Sequence, residues 1–248
     1  MALDEVLFAS ATGGAAPVLR LYEWSGSWLS LGYAQPFPAA LGAACRDAGV
    51  GVVRRVTGGR AVLHGRDLTY GVAAAAAALP AGLESSYRLL SDAILAALRE
   101  LGVEAERAAT VDAIAPAADF DCFAFPATDE ICAGGRKLAG SAQRRSAGAV
   151  LQHGSIRLEP DPAEAAAAVG LGRGATSLLE LGVAADSARK ALAVGLPAAL
   201  GRLLGVRFEM DALQFDERRA VEDRALWLQR DPLGRRATGT LSASRARR

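Results

Sequence analysis

The chain has 248 residues, 51% hydrophobic and 22% charged, a balance that excludes disordered and fibrous proteins and leaves room for one large globular domain or two small ones. Its net charge of +1 hides an uneven distribution, because residues 230–248 hold six arginines against one aspartate; residues 1–229 are therefore net negative by four and carry no basic field suited to nucleic acid. Three cysteines and two histidines form neither a disulfide framework nor a zinc-ligand spacing, and no apolar run reaches the roughly 18 residues of a membrane span, so a cytoplasmic protein without metal or membrane association is expected.

In chain order, Leu3, Val6 and Leu7 beside the early acids Asp4 and Glu5 predict a helix over 1–10. Alternating runs at 18–24 and 28–33, split by Ser25-Gly26-Ser27, predict a β-hairpin. A helix is expected over 39–48, then a buried strand over 50–54 that delivers the chain into the glycine loop at 56–60. Residues 68–78 read as a strand despite an alanine run that favours helix, and 84–101 is the strongest helical pattern. The segment 108–126 reads as a long loop, which in a compact domain is commonly functional. A hairpin turning on Gly134-Gly135 should join 129–133 to 136–145, with 149–158 pairing next. Helices follow at 163–169, 185–204 and 216–229, with a short strand near 207–210.

Four groups of residues could carry chemistry. Cys122 lies in the long loop, whereas Cys45 and Cys132 sit in regular elements where a cysteine usually serves as a small buried hydrophobe. Lys137 occupies a strand of small residues, where its ammonium needs a partner or solvent; the alternative is an edge-strand lysine that blocks aggregation. Arg54, Arg55 and Arg60 bracket Gly58-Gly59 and could form an anion site, the alternative being a solvated turn, and neither dinucleotide nor Walker motifs are present. His64 and His153 could orient a substrate or carry a proton, or be satisfied structural histidines.

Three ordered blocks, Arg54-Arg55-Val56-Thr57-Gly58-Gly59-Arg60 through His64, Gly135-Arg136-Lys137-Leu138-Ala139-Gly140-Ser141-Ala142-Gln143, and Leu151-Gln152-His153-Gly154-Ser155, resemble the lipoate-protein ligase and octanoyltransferase family. The resemblance extends to about residue 160 and implies the α/β (α+β) fold of biotin protein ligases and class II aminoacyl-tRNA synthetases, a mixed, mostly antiparallel sheet flanked by helices. It implies one acyltransferase domain over 1–229 followed by a basic, disordered tail. It also implies that a strand preceding the first helix in relatives is missing before Met1. ATP-using ligases of the family usually have three consecutive glycines where this chain has Gly58-Gly59-Arg60.

Cys122, fifteen positions before Lys137, is similar to the cysteine-dependent octanoyltransferase branch, which implies Cys122 as acyl-thioester nucleophile and Lys137 as its activator. A free thiol is only about 3% ionised at pH 7, so an adjacent ammonium would supply the missing thiolate. The implied substrate-binding residues are Arg55, Thr57, Gly58, Gly59, Arg60, His64, Gly140, Ser141, Ala142, His153 and Gly154, with N–H groups of 140–142 as oxyanion donors. The implied donor is octanoyl acyl carrier protein and the acceptor a lysine of a lipoyl domain or glycine cleavage H protein. Thioester exchange conserves bond type, so no ATP or other cofactor is expected, and a monomer is favoured. Three other readings are an amidotransferase between protein lysines, an ATP-dependent lipoate ligase and a noncatalytic acyl-binding module.

Overall fold

The computed structural model describes residues 1–108, 121–123, 128–146, 148–171 and 174–233. Helices are α1 (Ala2–Thr12), α2 (Ala39–Asp47), α3 (Leu83–Glu100), α4 (Ala163–Val169), α5 (Ala185–Leu204) and α6 (Phe215–Arg230). Strands are β1 (Val18–Tyr22), β2 (Trp28–Leu31), β3 (Gly51–Arg54), β4 (Val62–His64), β5 (Asp67–Ala75), β6 (Glu106–Arg107), β7 (Ile131–Ala133), β8 (Arg136–Arg145) and β9 (Ala149–Arg157). They form an antiparallel six-stranded sheet, β1-β5-β9-β8-β7-β6, and a mixed three-stranded sheet, β3-β2-β4.

Alternation along β5 shows how the large sheet divides its faces. Leu68, Tyr70 and Val72 enter the main core, where Leu90, Ile94 and Leu98 of α3 follow one another at four-residue spacing and Leu192, Leu196 and Leu200 of α5 do the same. Each such leucine contributes about 2 kcal/mol by leaving water. The intervening Ala73 turns the other way, onto Leu7 of α1 and Leu151 of β9. The small sheet packs Leu29, Leu31 and Leu63 against Cys45 of α2 and Ala165 and Val169 of α4. The pocket described below lies between the two sheets.

The expected helices match α1 to α6 within one or two residues, and the Gly134-Gly135 hairpin forms with both glycines at positive φ, 56° and 72°. The expected hairpin at 18–33 does not. β1 pairs with β5, β2 pairs with β3 and β4, and Ser25-Gly26-Ser27 carries the chain from one sheet to the other. Alternation identifies a strand but not its partner, and the aromatic packing of Trp24 between Tyr22 and Trp28 bends this junction rather than folding it back. β3 is an outer strand of the small sheet and only part-buried, not a central one. The alanine run stays extended while β9 pairs with it, then becomes a 3-10 turn at Ala76–Ala78 as the pairing ends at Ala75.

Residues 207–210 form no strand, and Met210 is fully exposed. Leu226 of α6 is also exposed. Short strands β4 and β6 were not expected. The long loop falls largely outside the described residues, apart from 108 and 121–123, as does the arginine tail beyond 233. Pro232 and Leu233 are tied down, their carbonyls accepting bonds from the backbone N–H and Nε of Arg54. Among the described residues no helix is long and apolar enough to cross a membrane.

Candidate active site

A pocket opens between the sheets. β2 and β4 supply Ser30, Val62 and His64 to its lining, the glycine loop supplies Arg55 and Gly59, and the large sheet supplies Thr69, 140–142 and 153–155, with Cys122 beside them.

The glycine loop is positioned by close backbone contact. Gly59 has φ +88°, and a Cβ on Gly32 would stand 1.8 Å from the Gly59 carbonyl oxygen, so a side chain at 32 would push the loop off the end of β2. Arg55 then ties the loop from inside. Its Nη1 donates to the carbonyl and hydroxyl of Ser30 at 2.7 and 2.8 Å, and its Nη2 donates to the carbonyls of Gly58 and Arg60 at 3.0 and 2.8 Å. The expected use of this guanidinium as an anion fork is therefore wrong, because its terminal donors are committed to the protein's own oxygens. Burial pushes its pKa down to about 10.

His64 stands in a chain of acid, imidazole and hydroxyl. His64 Nδ1 lies 2.8 Å from Asp67 and Nε2 lies 2.7 Å from Ser30 Oγ, with the ring stacked on Trp24. Asp67 also accepts bonds from Thr69, Ser155 and the Gly65 N–H. Burial raises its pKa, but His64 first, then Ser155 and the Gly65 N–H, outweigh it and bring the carboxyl to about 2. His153 Nε2 lies 2.5 Å from Thr57 Oγ1, while Nδ1 is 3.6 Å from Asp4, beyond hydrogen-bond reach. Burial holds this imidazole's pKa below its ordinary value.

Cys122 is held against the loop by its N–H, which donates to the Ala61 carbonyl at 3.0 Å, and by Asp121, which accepts the Phe123 N–H. Lys137 arrives from β8, inside the large sheet and 1% exposed, so it is not an edge lysine. Its Nζ lies 3.5 Å from Cys122 Sγ, 2.7 Å from the Cys122 carbonyl oxygen and 2.6 Å from Glu130 Oε2. Burial lowers the lysine's pKa, yet the neighbouring Cys122 and Glu130 raise it more, so the amine is held protonated.

Gly140 makes this packing possible: a Cβ there would meet Lys137 Cε at 2.8 Å. A Cβ on Gly154 would likewise meet the Gly140 carbonyl and Ser141 Oγ, both at 2.6 Å. Beyond Ala139, β8 is paired with β9 but no longer with β7.

Of the residues expected from sequence, Arg55, Gly59, His64, Cys122, Gly140, Ser141, Ala142, His153 and Gly154 line the pocket. Lys137 reaches it through Cys122. Thr57 is buried behind His153, and Gly58 and Arg60 stand outside the lining, meeting Arg55 through their carbonyls. Cys45 and Cys132 are buried in the core. Glu130, Ser30, Thr69, Ser155 and Asp67 were missed. A lysine among small strand residues signalled a buried anion, and the hairpin carrying Lys137 also carries Glu130, so that one could have been found. Among the described residues, no group of three His, Cys, Asp or Glu side chains is placed to hold a metal ion.

The sequence profile of the lipoyl protein ligase A/B catalytic domain matches residues 1–188. The chain belongs to that family. It is 38% identical over 247 residues to octanoyltransferase LipM of Kyrpidia tusciae, a match covering 90% of this chain and 88% of that protein. It is 45% identical over 166 residues to octanoyltransferase LipM of Moorella thermoacetica, covering 64% of this chain and 60% of that one. The fold is also that of a lipoate-protein ligase A crystallised with ATP, with a TM-score of 0.72 and 24% identity over 90% of this chain and 86% of the other.

Proposed function

We propose that this chain is an octanoyl-[acyl-carrier-protein]:protein N-octanoyltransferase that works through a thioester on Cys122. The octanoyltransferase activity and its place in lipoate biosynthesis follow from relatives at 38–45% identity. The donor and the acceptor rest on the family resemblance, and one observation supports the covalent step: Cys122 Sγ lies at the pocket, 3.5 Å from the ammonium of buried Lys137.

In the first half-reaction, the Cys122 thiolate attacks the octanoyl thioester of the carrier protein's phosphopantetheine. The carrier thiolate leaves and takes a proton from solvent. Because one thioester replaces another, ATP is not required. In the second, the neutral amine of an acceptor lysine, on a lipoyl domain or glycine cleavage H protein, attacks the acyl carbonyl. The C–Sγ bond breaks, the new amide nitrogen gives its proton to solvent, and Sγ returns as a thiolate beside Lys137. Arg55, Gly32 and Gly59 keep the glycine-loop wall in place while this happens.

Intact-mass analysis after incubation with octanoyl carrier protein tests the reading. One octanoyl adduct on Cys122, absent in Cys122→Ser and discharged by an acceptor lipoyl domain, is the expected result. No adduct would overturn the covalent mechanism. Discharge from octanoylated H protein but not from the carrier protein would reassign the enzyme as an amidotransferase.

A further inference from the structure

Glu130 is absent from the mechanism just given, yet it makes the shortest contact to the activating lysine. Its carboxylate stands 2.6 Å from Lys137 Nζ, with the two side chains 5% and 1% exposed. The preceding residue, Asp129, is the non-glycine residue with positive φ among those described, at 65°. Backbone strain of this kind persists where surrounding contacts over-determine it. Here Arg88 lies 3.4 Å and Arg107 3.5 Å from the Asp129 carboxylate, and Ser91 Oγ donates to its carbonyl. The strained, doubly clamped Asp129 fixes the direction from which Glu130 enters the site.

We infer that Glu130 is a positioning residue for the second half-reaction, holding the Lys137 ammonium charged and in place while Cys122 carries the acyl group. The inference rests on the thioester mechanism proposed above. In the free enzyme, Lys137 has two anionic partners, the Cys122 thiolate and Glu130. Once sulfur is acylated it is neutral, and a buried ammonium without an anion is driven to lose its proton. Glu130 then remains to keep the cation charged.

That charge matters most when the acceptor amine attacks. As the C–Sγ bond breaks, negative charge develops on sulfur, and a preorganised ammonium stabilises it without reorganisation. In the first half-reaction the ammonium pairs with the thiolate before attack and gains nothing comparable as charge leaves sulfur. Removing the Glu130 charge should therefore separate the two halves. Among the described residues, Cys132, Tyr70 and Tyr87 also feel this carboxylate; all three have raised pKa values, with burial the largest cause, and stay neutral.

The test compares wild type, Glu130→Gln and Glu130→Asp by rapid quench and intact mass, with octanoyl carrier protein as donor and a lipoyl domain as acceptor. In E130Q, acylation of Cys122 should run near the wild-type rate while discharge to the acceptor slows by roughly ten- to a hundredfold. Acyl-enzyme would then be the predominant form during turnover. E130D keeps the charge and should recover much of the discharge rate, and it decides the question if E130Q does not fold. Equal slowing of both halves in the variants, or no accumulation of acyl-enzyme, would sink the inference by showing Glu130 to be merely structural. Failure of the wild type to form any adduct would instead remove the thioester mechanism itself.

Discussion

Arg55 and Lys137 are both buried cations, 6% and 1% exposed, and they flank one pocket from different sheets. Arg55 leaves the end of β3 and gives its terminal donors to neutral oxygens, three carbonyls and a hydroxyl, so burial lowers its pKa to about 10. Lys137 comes from β8 and meets a carboxylate and a sulfur, which raise its pKa against the same burial. One cation is spent on holding a backbone loop, and the other is kept charged beside a nucleophile. A buried positive charge is thus not by itself a sign of chemistry; its acceptors decide what it does.

The largest expected effect separates the two directly. Lys137→Met should lower kcat/KM by roughly a thousandfold, the scale of losing a positioned charge or proton-transfer group. Steady-state transfer assays and the rate of Cys122 alkylation by iodoacetamide should fall together. If alkylation is untouched, the lysine does not activate the thiol.

Arg55→Met should instead act on stability, by about 3 kcal/mol in urea unfolding, because the buried Ser30 carbonyl and the less buried carbonyls of Gly58 and Arg60 lose their donor together. Arg55→Lys should recover only part of this, since one ammonium cannot span both pairs of acceptors. Full recovery would show that charge, not the fork, holds the loop.

Asp67 extends the structural side of the comparison to pH. Its folded pKa of about 2 lies below the unfolded carboxylate value, so it stabilises the fold above about pH 4 and that contribution is lost as pH falls toward 2. The contribution is about 2 kcal/mol. Urea titrations between pH 5 and 2 should show this loss in wild type and a shallower slope in Asp67→Asn.

The smallest expected effect sharpens the chemical side. Gly140→Ala would place a methyl 2.8 Å from Lys137 Cε, and the flexible lysine must yield. Turnover should drop roughly tenfold while stability changes by less than about 1.5 kcal/mol. A large stability loss with normal turnover per folded molecule would mean that the backbone moves instead of the lysine.

Most of the elements were legible in the sequence because their signals are local. The helical periodicity over 84–101 and the Gly134-Gly135 turn needed no knowledge of neighbours, whereas the pairing of Cys122 with Lys137 came from the family resemblance. Pairing was not legible. Alternation at 18–33 could not reveal that β1 joins β5 while β2 joins β3 and β4, and Arg55 beside two glycines suggested an anion site until Ser30 was seen to occupy its donors. Ser30 and Asp67 gave no motif at all, since each is informative only through the histidine it touches.

By itself, the sequence determined most of the helices and strands, because residue periodicity is a property of short stretches, while the family resemblance implied that Cys122 and Lys137 serve one reaction. The tertiary structure decided which charges meet: Glu130 with Lys137, Asp67 with His64, and Arg55 with the carbonyls of its own loop. Those pairings depend on sheet register and on the space that Gly32, Gly140 and Gly154 leave open, and burial then gives each contact its energetic weight.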